Sequence, residues 1–266
     1  MEWLHIIVLS LIQGLTEFLP VSSSAHLILP PLLTDWPDQG LAFDIAVHAG
    51  SLLAVLAYFH REMAQFAVSG TRLLVRQRYD EHAELLLKIV LASLPAVIVG
   101  YALKDWVAHE LRTVLTIATS TMVFAVALWW ADRQRGTIDQ PNWIQALFIG
   151  SAQVLAIVPG TSRSGITITA ALLLGLSRTG ATRFSLLLSI PAIFGAALLA
   201  TLDLLEAGES ARWAEVALGT TLAALCAYVC IHYFIALVER TGMMPYVVYR
   251  LLLGAVLFGL VLSAAA

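Results

Sequence analysis

The chain has 266 residues, 59% of them hydrophobic and only 12% charged, with a mean hydropathy of +0.84 and a formal net charge of −3. Soluble domains carry about 25% charged residues, so the composition excludes an ordinary soluble globule and indicates an all-α polytopic membrane protein. The small net charge says little about partners, and no nucleic-acid partner is expected. Cys226 and Cys230 stand i,i+4 inside an apolar segment and read as a helix-face contact, not as a disulfide framework.

The first element is an apolar stretch from Leu4 to Leu33 that breaks at Pro20-Val21-Ser22-Ser23-Ser24-Ala25-His26. The whole stretch is long enough to enter a bilayer, yet each half is too short to cross it. The break therefore reads as a re-entrant hairpin of two half-helices. No cleavable signal peptide is expected, because the run lacks a basic leader and is interrupted by Gln13 and Glu17. A first span, Leu41–Phe59, follows; Asp44 and His48 at its start either line a site or cap and orient the helix. Glu62 to Glu84 reads as a basic loop with helical character, suited to the membrane surface. Two more spans, Leu85–Leu103 and Val114–Trp130, complete the first half.

The second half repeats this order. An apolar stretch from Trp143 to Leu176 breaks at Pro159-Gly160-Thr161-Ser162-Arg163-Ser164-Gly165, and the spans Phe184–Thr201, Ala214–Phe234 and Tyr246–Leu262 follow. The segments around Ser93-Leu94-Pro95-Ala96 and Ser189-Ile190-Pro191-Ala192 read as helix kinks or tight packing. Trp129, Trp130, Trp143 and Trp213 fall near span ends, as an interfacial aromatic belt requires.

Basic residues orient the chain. If the first hairpin enters from outside and the second from the cytoplasm, the inner side and its flanks hold Arg61, Arg72, Arg76, Arg78, Lys88, Arg133, Arg135, Arg178, Arg183, Arg240 and Arg250. The outer side keeps Lys104, Arg112 and Arg212, beside the acidic Asp35, Asp38, Asp203, Glu206 and Glu209, and both termini fall outside. This satisfies the positive-inside rule. One hairpin plus three spans in each half gives inverted-topology repeats, about 1–131 and 143–266, within a single membrane domain. Aligning the prolines places Pro20-Val21-Ser22-Ser23 over Pro159-Gly160-Thr161-Ser162.

The breaks carry the chemistry. A helix beginning near Ser23 or Ser164 directs free N–H groups and a positive dipole end at the break, which favours phosphate. Ser22, Ser23, Ser24, Thr161, Ser162 and Ser164 add hydroxyls, Gly160 and Gly165 permit close backbone approach, and Arg163 supplies a fork of donors for phosphate oxygens. The bland alternative is that the serines recap kinked helices and Arg163 pairs with a carboxylate. Gln13 and Glu17 share a helix face at membrane depth, and His26 lies just beyond the hydroxyls. Glu, Ser and His in ten residues suit acid–base or nucleophilic work, or a divalent cation site.

At Gln13-Gly14-Leu15-Thr16-Glu17-Phe18-Leu19-Pro20-Val21-Ser22-Ser23-Ser24-Ala25-His26 and Pro159 to Gly165 the chain resembles the undecaprenyl-diphosphate phosphatase family, known also for bacitracin resistance. The resemblance covers nearly the whole chain, including Phe43-Asp44 through Gly50-Ser51. It implies hydrolysis of undecaprenyl diphosphate to the monophosphate carrier of cell-wall synthesis, in the bacterial inner membrane, with an active site open to the periplasm. It also implies a divalent cation (Mg2+ or Ca2+) and a homodimer. Residue by residue, Glu17, Ser23, His26 and Arg163 match the family's catalytic positions. Gln13 stands where many members have Glu, leaving one fewer negative charge for a cation, and Ser24-Ala25 stand where Thr-Gly is common. The principal rival is a secondary transporter or flippase of an anionic lipid, since inverted halves with broken helices are transporter features. The type 2 phosphatidic acid phosphatase pattern is excluded by the absence of HxxxD after Arg163.

Overall fold

A computed structural model describes residues 3–30, 34, 36, 40–76, 78–111, 113–207 and 212–265. In chain order the helices are α1 (Trp3–Thr16), α2 (Ser23–Leu27), α3 (Leu41–Tyr58), α4 (His60–Arg76), α5 (Glu81–Glu110) and α6 (Val114–Asp132). They continue with α7 (Trp143–Gln153), a 3-10 turn (Val154–Ile157), α8 (Arg163–Leu173), α9 (Arg178–Ala207), α10 (Trp213–Thr241) and α11 (Met244–Ala265). Among the described residues there is no strand; extended backbone pairs only in an isolated bridge between Ile138 and Leu176.

Six helices, α3, α5, α6, α9, α10 and α11, are long and apolar enough to cross a membrane. All six expected spans are thus helical, but several overrun their apolar cores. The apolar run of α10 ends near Phe234, whereas the helix continues to Thr241 and stops where Gly242 takes φ +62°. A helix ends where a cap ends it, not where charge begins. The start of α5 is fixed by Asp80, whose Oδ1 accepts from Ala83 N at 2.9 Å. Asn142 and Gln145 form a reciprocal capping box at the start of α7. Pro95 and Pro191 sit inside the thirty-residue helices α5 and α9, which pass through them. The segment read as a surface loop is mostly the helix α4.

The burial pattern is that of a protein solvated by lipid. Leu, Ile, Val and Trp side chains on most helices are exposed, among them Ile98, Ile144, Leu225 and Leu252, while Ser10, Gln13, Ser51, Thr121 and Thr161 are fully buried. A bilayer matches an apolar core in polarity, so it is the polar groups that must be sequestered. Trp213 is 77% exposed at the start of α10 and Arg133 stacks on Trp129 at 3.9 Å, as expected at an interface.

Helix α10 packs on α3 and α1, α6 packs on α11 and α8, and α7 packs on α5. Small residues set these separations: a Cβ on Gly14 would lie 2.7 Å from Cys226 Cβ and 2.8 Å from Ala223 O. Cys226 and Cys230 donate to Leu11 O and Leu15 O of α1, so both thiols serve the α1–α10 contact. At the end of the molecule holding the α6–α7 connection, Asp132 binds Arg178 through both oxygens (2.6 and 2.9 Å) and accepts from Met243 N. Arg183 pairs with Glu62 at 2.7 Å.

One basic residue leaves the loop inventory. Arg250, counted with the inner loops and flanks although it falls within the expected span Tyr246–Leu262, lies in the first two turns of α11 with its side chain 0% exposed in the protein interior. Of the other loop residues used to orient the chain, Asp35, Asp38, Arg112 and Glu209 lie outside the described residues, as do the side chains of Arg76, Lys104, Asp203 and Glu206.

Candidate active site

The two breaks share one backbone device. Ser22 has φ 73° and Ser162 φ 70°, and each stands immediately before a helix, α2 and α8. Positive φ is costly for a side chain other than Gly, Asn or Asp and persists only where the surroundings hold it. Ser22 Oγ lies 3.1 Å from Ser24 Oγ, and Ser162 Oγ lies 3.1 Å from Ser164 Oγ. The helices therefore start at Ser23 and Arg163, and Ser22 matches Ser162 at a separation of 140 positions. Aligning the prolines had given one residue less; the backbone corrects the register. In that register Gln13 falls on Gln153, Ser24 on Ser164, and Ser23 on Arg163.

The breaks are laced to each other. Gly160 N donates to Ser24 Oγ at 3.3 Å, and Ser164 Oγ donates to Leu19 O at 2.8 Å. Arg250 reaches from α11 and donates to Pro20 O (3.3 Å), Gly160 O (3.0 Å), Thr161 O (2.9 Å) and Thr121 O (3.2 Å). Freed carbonyls at a helix break need donors when water is absent, and one guanidinium serves both breaks. Ser120 and Thr121 of α6 donate to Pro159 O and Gly160 O. Gly160 is required twice over: its φ is +91°, and a Cβ there would strike Ser120 Oγ.

The reactive side chains meet on the cavity side of this lacing. Glu17 Oε1 accepts from Arg163 Nη2 at 3.2 Å; Glu17 Oε2 accepts from Ser23 Oγ and from Gln13 Nε2, both at 3.0 Å. Arg163 also donates to Ser185 O of α9 at 3.3 Å. The Arg163 and Glu17 side chains are 13% and 9% exposed, so the pair interacts largely away from water. Because Arg250 has no carboxylate partner among the described residues, Glu17, Arg163 and Arg250 together leave one uncompensated positive charge at the breaks.

A cavity of about 370 Å³ opens on this cluster, lined by Glu17, Ser22, Ser23, Ser24, Ser162 and Arg163, together with His48, Gln153, Ala96, Ala192 and other apolar residues. Gly160, Thr161 and Ser164 do not line it: Gly160 and Ser164 join the breaks, and Thr161 Oγ1 is buried without a partner. His26 is also turned away. Its Nδ1 faces Ser22 O at 2.7 Å and its Nε2 faces the Tyr249 hydroxyl at 2.6 Å, with the two rings stacked. Nδ1 opposite a carbonyl must carry hydrogen, so in the neutral ring Nε2 accepts from Tyr249.

The sequence singles out neither Tyr249 nor Gln153, and Arg250 only as a basic residue of the inner side. Gln153 carried a usable signal, since it repeats Gln13 in the corrected register. Tyr249 carried none.

The chain can also be tested for a divalent cation. Among the described residues no group of three His, Cys, Asp or Glu side chains could hold a metal. Glu17 nevertheless presents a carboxylate to the cavity, and Gln13 Oε1 is buried without a partner. Gln13 does not line the cavity and turns its Nε2 to Glu17, so a cation there would rest on Glu17 and take its other ligands from substrate phosphates and water, as Mg2+ does.

Against protein-family models, the family described as bacitracin resistance protein BacA matches residues 6–256. That family is known for undecaprenyl-diphosphate phosphatase activity and bacitracin resistance. With two serine-capped breaks, a carboxylate–hydroxyl–guanidinium cluster and a match over nearly its full length, the chain belongs to the bacitracin resistance protein BacA family.

Proposed function

We propose that this protein hydrolyses the terminal phosphate of undecaprenyl diphosphate, releasing inorganic phosphate and the monophosphate carrier of cell-wall synthesis. The observation that carries this reading is the Glu17 carboxylate, which accepts from the Ser23 hydroxyl while bonded to Arg163 of the other break. A hydroxyl held on a carboxylate is a nucleophile beside its base, and a guanidinium opposite is the group that phosphoryl transfer needs most.

In this reading the terminal phosphoryl group settles between Ser23 and Arg163. Ser23 Oγ attacks phosphorus as its proton passes to Glu17 Oε2, the bridging P–O bond breaks, and the polyprenyl monophosphate departs. Water then attacks the phosphoseryl group, Glu17 returns the proton to Ser23 Oγ, and phosphate leaves. Arg163 and the N-terminal end of α8 neutralise charge on the transferring group. A divalent cation held by Glu17 would further neutralise the diphosphate. His26 acts as a positioning residue, holding Ser22 O at the turn that precedes Ser23.

The same reading makes the breaks tips of re-entrant hairpins that enter from opposite faces, as inverted repeats. With Arg250 withdrawn, ten basic residues against three still place both termini outside. The site then opens to the periplasm of a bacterial inner membrane, and the polyprenyl tail runs between helices in the lipid. A homodimer follows from the family resemblance alone.

The test is direct. The purified protein in detergent should release inorganic phosphate from farnesyl diphosphate, and Ser23→Ala should abolish both turnover and any phosphate trapped on the protein in a single turnover. A wild-type protein that binds the substrate and releases no phosphate would point to the transport reading instead.

A further inference from the structure

Apart from the serines that join and turn the breaks, the cavity is lined by two polar side chains that the reaction above does not use, Gln153 and His48. Gln153, at the end of α7, is 3% exposed, and neither its Nε2 nor its Oε1 has a hydrogen-bond partner. Leaving both ends of a buried carboxamide unpaired is costly, so its partners must come from whatever fills the cavity. His48, on α3, lines the same space. Its Nδ1 lies 2.7 Å from Asp44 O and so carries the hydrogen, which leaves Nε2 as the nitrogen with no partner among the described residues. Two different helices thus contribute an unengaged polar group to the lining of one cavity.

Glu17, Ser23 and Arg163 are already bonded to one another, and a single phosphoryl group occupies the place where they meet. A diphosphate brings a second phosphate with oxygens of its own. Ala96, Ala192 and Ala196 line the cavity and leave room beside the reactive cluster. We propose that His48 Nε2 and the Gln153 carboxamide form a second phosphate subsite, which holds the phosphate that stays with the lipid and so makes the protein select diphosphates over monophosphates. The proposal rests on the diphosphatase reading for the identity of its ligand.

Binding and turnover separate the two. By calorimetry the wild-type protein in detergent should bind inorganic pyrophosphate more tightly than inorganic phosphate. His48→Ala and Gln153→Ala should each weaken pyrophosphate binding by about tenfold, the effect of losing one hydrogen bond to a charged group, and leave phosphate binding unchanged. With farnesyl diphosphate, KM should rise by about the same factor while kcat changes little, the pattern of an interaction made equally in ground and transition states. His48→Gln, which restores an amide donor, should recover part of the loss and serves where His48→Ala does not fold. Pyrophosphate affinities unchanged in folded variants, as expected if water alone satisfies Gln153, would overturn the subsite. So would equal losses of pyrophosphate and phosphate binding. Discrimination of pyrophosphate from phosphate that depends on His48, in a protein that releases nothing from farnesyl diphosphate, would uphold the subsite and sink the hydrolase reading.

Discussion

The two breaks have nearly the same backbone and opposite contents. Each turns on a serine near φ +70°, followed two residues later by a second serine whose hydroxyl touches the first. Yet the first break leads into a helix of five residues and carries Glu17 and Ser23, whereas the second leads into one of eleven and carries Arg163 in the position of Ser23. Ile157 stands where the corrected register would place a second Glu17. One scaffold carries an anion and a hydroxyl on one side and a cation on the other, and the two sets meet at the cavity. Duplicated local structure therefore does not imply duplicated chemistry; the side chain at a single matched position separates the roles.

The comparison can be broken most sharply at Arg163. Arg163→Ala should lower kcat for phosphate release from farnesyl diphosphate by about 10³-fold, the scale of removing a positioned cation from a phosphoryl transfer, with thermal stability changed far less. Full phosphate release from that variant would remove the second break from the chemistry altogether.

Arg250 probes what the breaks have in common. Arg250→Leu removes the guanidinium donors from four carbonyls, Pro20 and Thr121 in the first half and Gly160 and Thr161 in the second, of which Gly160 O keeps the Thr121 hydroxyl. The unfolding free energy measured in denaturant with detergent should fall by about 3–5 kcal/mol. Arg250→Lys, a point charge without the planar fork, should fall between the two.

Gly160 sharpens the difference between the halves, because the matched position is Pro20. Gly160→Ala adds a methyl at φ +91° against Ser120 and should cost about 1–3 kcal/mol in the same measurement.

The smallest effect lies outside the membrane. Ala83 N–H and the Ser69 hydroxyl both bond the Asp80 carboxylate and hold its pKa below the ordinary value. A carboxylate with a depressed folded-state pKa contributes stability above its unfolded pKa and loses it as pH falls through the folded one. Protection factors for amide exchange in the first turn of α5 should therefore fall on acidification below the ordinary carboxylate range, and Asp80→Asn should flatten that dependence.

Hydropathy alone located the six spanning helices, and the Pro-Ser clusters located the breaks, because both depend on residue type. Glu17, Ser23 and Arg163 were legible for the same reason: a charge or hydroxyl at membrane depth has few structural excuses. What escaped depends on geometry. Arg250 looks like a charge near the inner end of its span until its side chain is seen buried against carbonyls of both breaks. His26 looks like a partner for Ser23 by spacing, but the turn at Ser22 points it toward Tyr249, a residue of the opposite end of the chain. The alignment of the halves slipped by one because prolines are conspicuous in a sequence and positive φ angles are not.

Arg250 also constrains how the molecule can move. Alternating access by rocking one half against the other would draw Pro20 away from Gly160, and a single guanidinium is bonded to both. Parting them would leave carbonyls bare at about 1–3 kcal/mol each and an ion without neighbours in a medium that cannot solvate it. Welded at its midpoint, the molecule resists a gate that swings through, which favours the proposed hydrolase over the transport alternative.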